Sequence, residues 1–267
     1  MSLFQVRGKP VTAERIFRSL QRRVLDRLYP VNAFRGVYGS FAEAAQKAPR
    51  TKPLGYNVAN STDWYLAKLS SVQQEDYPAL FWLRTAFEDS HSVFEIGGHI
   101  GVAYYGFAQV LTYPAELTWT ICDVPTVAAA GVALARERGR NNVRFVTNPA
   151  QAEGADIALA AGALQYLDSP SLAETIASFR IRPVHVIINT TPVYDGPSFF
   201  TVQNIGSVYC PYHVFNRQEF VRSLVDIGYS LVATWQKERA FRIPRHPEKS
   251  FNHYTGFYFR SNRAERS

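Results

Sequence analysis

The chain has 267 residues, of which 46% are hydrophobic, so it can bury the core of one large domain or of one domain with an appendage. Two cysteines are too few for a disulfide framework, no apolar run is long enough to span a bilayer, and the first residues lack the apolar core of a signal peptide. These features predict a cytoplasmic protein. The net charge of +7 comes from residues 1–52, which carry 11 Lys or Arg and 3 Asp or Glu. The rest of the chain is not basic, which argues against nucleic acid as its main partner.

Residues 11–29 are predicted to form an amphipathic helix, because apolar side chains recur at three- and four-residue spacing with arginines between them. Three roles are open for this helix. It packs on the domain or on a second copy in a homo-oligomer, it makes a peripheral contact with an anionic membrane, or it contacts nucleic acid. Residues 31–90 follow as a cap-like segment rich in aromatic residues, some of which could line a ligand pocket. These are Tyr38, Tyr56, Trp64, Tyr65, Tyr77 and Trp82. We divide the chain into an N-terminal region, 1–90, and a domain, 91–267.

The most informative motif is Val-Phe-Glu-Ile-Gly-Gly-His-Ile-Gly at 93–101, an apolar run that ends in an acid and a glycine-rich turn. Such a turn lets the backbone approach a ligand, and the neighbouring Glu95 carboxylate favours a ligand with an amine or hydroxyl groups to donate. S-adenosylmethionine is such a ligand. Two alternatives are an ordinary strand–turn–helix and a nicotinamide dinucleotide site. The second fits G-x-G-x-x-G poorly, since His99 fills the middle slot.

Further strands and helices alternate after this motif. The predicted strands are 119–123, 142–147, 156–162, 184–189, 229–235 and 254–260. The last two strands have no helix between them, and Asn216 opens the helix before them with a capping box to Glu219. The strands are nearly continuously apolar, which predicts a parallel sheet covered on both faces.

Residues 90–260 resemble the Rossmann-like, class I S-adenosylmethionine-dependent methyltransferases, on the motif at 93–101, the acid after the second strand and the closing strand pair. The chain also resembles a narrower group of bacterial methyltransferases associated with surface polysaccharide loci. That similarity is carried by 34–41, 76–83 and 162–167. The resemblance implies an α/β, doubly wound, mostly parallel seven-stranded sheet with an N-terminal helical extension. It also implies S-adenosylmethionine as the cofactor.

By this resemblance, Glu95 and the glycines hold the methionine part of the cofactor, Asp123 accepts hydrogen bonds from the ribose, Val124 lies on the adenine face and Asn148 meets the adenine edge. Asp123 could also cap the helix that opens after it, Asn148 could serve only in a turn, and His99 could merely substitute for glycine. Small residues after the fourth strand let the acceptor approach. The predicted cofactor residues are Glu95, Gly97, Gly98, His99, Gly101, Asp123, Val124, Asn148, Ala161 and Gly162.

The acceptor side is predicted in a loop over 190–215, whose polar and aromatic residues suit a sugar or a phenol. The predicted acceptor residues are Gln165, Tyr194, Gln203, Asn204, Tyr209 and Tyr212. A hydroxyl acceptor needs a base, for which His213 is the first candidate and His253 the second. A hydrogen bond within the loop is the alternative for His213.

The segment after the fourth strand bears on the substrate class, because it lacks the motif of methyltransferases that act on base amino groups. Methyltransferases of base amino groups carry Asn or Asp, then Pro-Pro and an aromatic residue, where this chain has Ala-Gly-Ala-Leu at 161–164. Histidines and acids show no metal-ligand spacing. We therefore expect O-methylation of a sugar or small-metabolite hydroxyl. The alternatives are a non-catalytic scaffold that binds the adenosyl cofactor and a nicotinamide-dependent oxidoreductase.

Overall fold

The computed structural model describes Leu20, Val24, residues 28–58 and residues 63–262. The helix predicted over 11–29 therefore lies mostly outside the described residues. Leu20, Val24 and Leu28 are helical, and they are 56%, 55% and 76% exposed. Whether this segment packs, forms an oligomer or contacts a membrane stays a prediction.

The secondary structure alternates through most of the described chain. The strands are β1 Phe34–Tyr38, β2 Ser92–Ile96, β3 Thr118–Cys122, β4 Val143–Val146, β5 Ile157–Ala161, β6 His185–Thr191, β7 Val193–Tyr194, β8 Phe199–Asn204, β9 Tyr209–Asn216, β10 Tyr229–Phe241 and β11 Phe251–Ser261. The helices are α1 Phe41–Lys47, α2 Asp63–Leu66, α3 Tyr77–Ala86, α4 Val102–Phe107, α5 Pro125–Glu137, α6 Leu172–Ser178 and α7 Arg217–Val225. Within the described residues, no helix is both long enough and apolar enough to cross a membrane.

The main sheet has seven strands in the order β10-β11-β6-β5-β2-β3-β4. The strands from β6 to β4 are parallel, and β11 runs antiparallel between β6 and β10. The predicted doubly wound, mostly parallel seven-stranded sheet is therefore confirmed. The direction of winding reverses between β2 and β5, so a crevice opens at the carboxyl ends of these strands. Open α/β sheets bind their ligands at such a crevice.

Helices cover both faces of this sheet, because side chains along each strand alternate between the two layers. On one face, Val93 of β2 packs in a cluster with Leu83 of α3 and Leu134 of α5. On the other face, Phe94 packs in a cluster with Ile176 of α6. The predicted domain boundary at residue 90 stays a prediction. Helix α3 precedes that boundary, yet it packs on the main sheet in the same cluster as Val93.

A second sheet has the order β1-β8-β9-β7. The loop predicted over 190–215 is wrong, because this segment supplies β7, β8 and β9, and β1 pairs with β8. Aromatic and β-branched residues favour strands here, whereas Gly196, Pro197 and Gly206 are residues typical of loops. Cys210, which belongs to this segment, is buried in β9.

One of the two hydrogen bonds of the capping box predicted at the start of α7 is present. The Asn216 side chain accepts the backbone N–H of Glu219 at 2.9 Å and so caps the helix. The Glu219 carboxylate does not complete the box but accepts the hydroxyl of Ser198 at 3.2 Å. The cap thus joins α7 to the second sheet.

Candidate functional site

The turn after β2 lies at the crevice and depends on glycine. Gly97 and Gly101 have φ angles of 67° and 95°. A Cβ on Gly97 would lie 2.3 Å from the Cβ of Ala163, and one on Gly98 would lie 2.4 Å from the carboxylate carbon of Glu95. Since these positions have no room for a side chain, the backbone of the turn is held close to the elements around it.

Glu95 lies against this turn, at the end of β2. It is 1% exposed, and its Oε2 accepts the indole N–H of Trp119 at 2.8 Å. Burial raises the pKa of Glu95 to about 8, in spite of the opposing effect of the Trp119 hydrogen bond. The carboxyl group therefore supports the turn at Gly98, and its predicted contact with the methionine part of a cofactor stays a prediction.

Glu95→Gln should change how stability depends on pH. The pKa of this carboxyl is about 8 in the folded protein against an ordinary 4.5, so unfolding releases a proton between these values. The neutral Glu95 carboxyl group should make its full contribution to the free energy of unfolding below about pH 4.5. That contribution should fall as the pH rises towards 8. Without that fall, Glu95→Gln should gain at least about 1 kcal/mol over the wild type between about pH 5 and pH 8.

Urea unfolding at several pH values measures this difference, and Glu116→Gln, at an exposed position, is the matched control. The same pH slope in Glu95→Gln and in the wild type would contradict the burial argument.

Asp123 follows β3 and connects this strand to the glycine turn. Its Oδ2 accepts the N–H of His99 at 2.8 Å, and its Oδ1 accepts the N–H of Val124 at 2.8 Å. Burial raises the pKa of Asp123 to about 6, and the two N–H bonds act in the opposite direction. The alternative role of Asp123 as the N-cap of the following helix is wrong, because the N-cap of α5 is Val124, one residue later. A carboxylate has about four acceptor positions, so two remain for a ligand.

His99 takes the backbone conformation of a glycine, with φ 56°, and is 7% exposed. Its ring stacks on Tyr65 with centroids 3.8 Å apart and lies edge-on to Tyr56 at 6.1 Å. His99 thus stands in for glycine in the turn, while its side chain joins the turn to the N-terminal region. A contact between its ring and a cofactor stays a prediction.

The rim after β5 is formed by small residues. Ala161 is half-buried, and Gly162, with φ 74°, donates its N–H to the carbonyl of Asn189 at 2.9 Å. The nearest atom to a Cβ on Gly162 would be 3.9 Å away, on Thr190, so this side of the rim is open. Gln165, predicted to contact the acceptor, folds back and donates to the Gly162 carbonyl at 2.6 Å. Its observed contact is with the rim itself.

The two residues predicted beside adenine follow β3 and β4. Val124 is half-buried at the start of α5. The Asn148 side chain accepts the N–H of Ala150 at 3.0 Å and caps a short 3-10 turn. The turn role of Asn148 is therefore present, and the adenine contact of both residues stays a prediction.

Five aromatic residues extend from the glycine turn to β11, and we call them the tyrosine cluster. They are Tyr65, Tyr56, Tyr166, Tyr212 and Tyr254. The hydroxyl groups of Tyr56 and Tyr65 are 3.2 Å apart, and Tyr212 donates to Tyr254 at 3.0 Å. The Tyr166 ring centroid lies 5.2 Å from those of Tyr56 and Tyr212. Burial raises the pKa of all five phenols, so they are neutral near pH 7.

The sequence indicated only part of this cluster. Tyr56 and Tyr65 belong to the aromatic set predicted for a pocket, and Tyr212 is a predicted acceptor residue. Tyr166 and Tyr254 were missed, since nothing in the local sequence of either shows that it packs against the other tyrosines.

The other predicted acceptor residues of the second sheet are buried and have partners inside the protein. They are Tyr194, Gln203, Asn204 and Tyr209, none more than 9% exposed. Gln203 accepts the hydroxyl of Tyr166 at 2.7 Å, which connects β8 to the tyrosine cluster. Asn204 donates to the carbonyl of Tyr29 at 2.6 Å. These contacts hold the second sheet together, and a contact with an acceptor stays a prediction.

His213 lies on the face of β9 opposite to Tyr212, because neighbouring side chains of a strand alternate. Its ring stacks on Phe200 with centroids 4.2 Å apart and lies 3.9 Å from that of Phe215. Burial lowers its pKa to about 4. It lines a cavity of about 230 Å³ between β9, α7 and the segment after β5. The strand thus separates His213 from the tyrosine cluster.

The second histidine candidate, His253, lies in β11 opposite Glu238 of β10. The role of either histidine as a base stays a prediction. Across the described ranges, no three His, Cys, Asp or Glu side chains are grouped so as to hold a metal ion.

Neither a protein-family model nor a curated protein matches the chain, but many solved structures do. The Burkholderia thailandensis 1,6-didemethyltoxoflavin-N1-methyltransferase, with bound 1,6-didemethyltoxoflavin and S-adenosylhomocysteine, has a TM-score of 0.50 at 17% identity, over 95% of this chain and 92% of that chain. The magnesium protoporphyrin IX methyltransferase of Synechocystis PCC 6803, also with bound S-adenosylhomocysteine, has a TM-score of 0.50 at 13% identity, over 76% and 95%. At such identities the similarity is one of fold, and the chain has the Rossmann-like fold of these two methyltransferases.

Proposed function

We propose that the protein is an S-adenosylmethionine-dependent methyltransferase that acts on a hydroxyl group of a sugar or small metabolite. The observation that carries this proposal is the position of Asp123 beside the glycine turn, with two acceptor positions left on its carboxylate. The turn follows β2 at the crevice, and Asp123 follows the neighbouring strand β3. The two similar folds, whose structures contain S-adenosylhomocysteine, support the same cofactor.

The residues at the crevice fit this cofactor. Asp123 would accept hydrogen bonds from the ribose hydroxyls, and the turn at 97–101 would bring its backbone close to the methionine part. When bound, the cofactor supplies a methyl group on its sulfonium sulfur. The rest of the cofactor is a good leaving group, because the sulfur departs as a neutral thioether. The protein then has mainly to hold the two reactants in line.

The rim after β5 and the tyrosine cluster form the proposed acceptor side. Gly162 leaves the rim open, and the cluster begins at Tyr65, which stacks on His99 of the turn. Tyrosine rings offer flat apolar faces with hydroxyl groups at their ends, which suits a sugar or another ring with polar substituents. The resemblance to methyltransferases of surface polysaccharide loci supports a sugar.

The proposal is tested with S-adenosylmethionine carrying an isotope-labelled methyl group. The protein and the labelled cofactor are incubated with a cell lysate, and the metabolites and glycans are analysed by mass spectrometry. A labelled O-methyl product supports the proposal. Tight cofactor binding with no labelled product would favour the scaffold, and a rise in Tm with nicotinamide cofactors alone would favour the oxidoreductase.

His213→Ala should leave turnover within a few-fold of the wild type, because β9 separates His213 from the tyrosine cluster. A general base contributes roughly 10²–10⁴-fold in rate. Turnover of a confirmed acceptor is measured for the wild type, for His213→Ala and for His253→Ala, which tests the other candidate base. A loss of 10²-fold or more in His213→Ala at unchanged cofactor affinity would establish His213 as the base.

A further inference from the structure

Arg239 of β10 is half-buried at the far end of the tyrosine cluster. Its guanidinium lies over the Tyr254 ring, 5.0 Å from the centroid. No carboxylate lies within salt-bridge distance of Arg239 among the described residues. An arginine that has lost part of its water without gaining a carboxylate is suited to an anionic ligand, since its planar group matches phosphate and carboxylate oxygens.

Two lysines extend this positive charge. Lys237 precedes Arg239 by two residues, so both side chains leave β10 on the same side. Lys68 lies over the Tyr65 ring, 4.9 Å from the centroid. Burial lowers the pKa of Lys68, and the nearby charges of Arg239 and Lys237 lower it further. The three cations are therefore close enough to repel one another.

The two nearby carboxylates already have partners and are fewer than the three cations. Glu75 forms an ion pair with Lys237. Asp76 accepts the side-chain N–H of Asn189 at 2.8 Å and the backbone N–H of Gln73 at 3.0 Å. Positive charge therefore remains at Arg239 and Lys68.

We propose that Arg239 and Lys68 bind an anionic group of the methyl acceptor, a phosphate or a carboxylate, while the rest of the acceptor lies along the tyrosine cluster. This inference rests on the proposed function. The cofactor's own carboxylate is the competing ligand, because Lys68 lies over Tyr65, which stacks on His99 of the turn, and the affinity for S-adenosylhomocysteine separates the two. The acceptor is then a phosphorylated or acidic compound that carries a free hydroxyl.

The test is calorimetric titration of the full chain, with and without S-adenosylhomocysteine. The probes are phenyl phosphate and benzoate, which separate the two anions, and phenol, which has the ring without the charge. At least one anionic probe should bind more tightly than phenol. Arg239→Gln should weaken that binding roughly tenfold or more, the usual effect of losing a charged hydrogen-bond partner. Arg222→Gln, on an exposed position of α7, should not.

If Arg239→Gln does not fold, Lys68→Gln, at an exposed position, should still weaken the anionic probe several-fold. Anionic probes that bind no better than phenol, or equally well to these variants, would overturn the inference. So would a loss of S-adenosylhomocysteine affinity in Arg239→Gln, since Arg239 would then serve the cofactor. A wild type that does not bind S-adenosylhomocysteine at all would instead refute the proposed function.

Discussion

Gly97→Ala should destabilise the protein by about 3 kcal/mol or more and remove measurable binding of S-adenosylhomocysteine. The added Cβ would lie 2.3 Å from the Cβ of Ala163, and both atoms belong to short side chains that cannot rotate away. The φ angle of 67° adds strain of about 1–2 kcal/mol for any residue with a Cβ. Relief requires the turn to move from the rim after β5, and the turn is where the ligand is proposed to bind.

Gly139→Ala is the matched control for this prediction. Gly139 has φ 61°, but a Cβ added there would meet no atom within 4 Å, so its substitution imposes the strain without the collision. Urea unfolding gives the two free energies, and calorimetry gives the affinities. Equal destabilisation in the two variants, with S-adenosylhomocysteine still bound by Gly97→Ala, would show that the turn is not packed as described.

Asp123→Ala should weaken S-adenosylhomocysteine binding by roughly 10- to 100-fold, because a carboxylate that accepts hydroxyl groups contributes about 1.5–3 kcal/mol. The pKa of Asp123, raised by burial to about 6, adds a second expectation. Wild-type affinity should decline as the pH falls below about 6, since the protonated group loses acceptor capacity, and Asp123→Asn should not share that decline.

Asp195→Ala is the control here, because the side chain of Asp195 is 88% exposed and pairs with Arg217 on the second sheet side. Asp123 also accepts two backbone N–H groups of the turn and α5, so Tm must be recorded for each variant. Unchanged affinity in a folded Asp123→Ala would rule out the ribose role.

The parallel strands of the main sheet could be predicted because they are short apolar runs, most of which are followed by an acid, a glycine or a helix cap. The turn at 93–101 shows all of these in nine residues. The second sheet could not, because β1 pairs with a strand that is distant in sequence and because the β8–β9 hairpin has the turn residues of a loop. Phe34 of β1 is the partner of Gln203 in β8.

The site was predictable where local sequence decides geometry and not where packing does. The spacing of Glu95 from the glycines identified the turn, but spacing cannot show that its carboxyl group lies under Gly98, bonded to Trp119. The tyrosine cluster draws on residues as distant in sequence as Tyr56 and Tyr254. Only the folded chain brings them together, because each comes from a different element.

Titration of the wild-type protein with S-adenosylhomocysteine, and separately with NAD, tests the central claim most directly. The carboxylate of Asp123 and the close backbone of the turn predict saturable binding of S-adenosylhomocysteine at one site per chain, with no heat from NAD under the same conditions. Binding of NAD with S-adenosylhomocysteine inert, or no binding of either, would contradict the assignment of this crevice to S-adenosylmethionine.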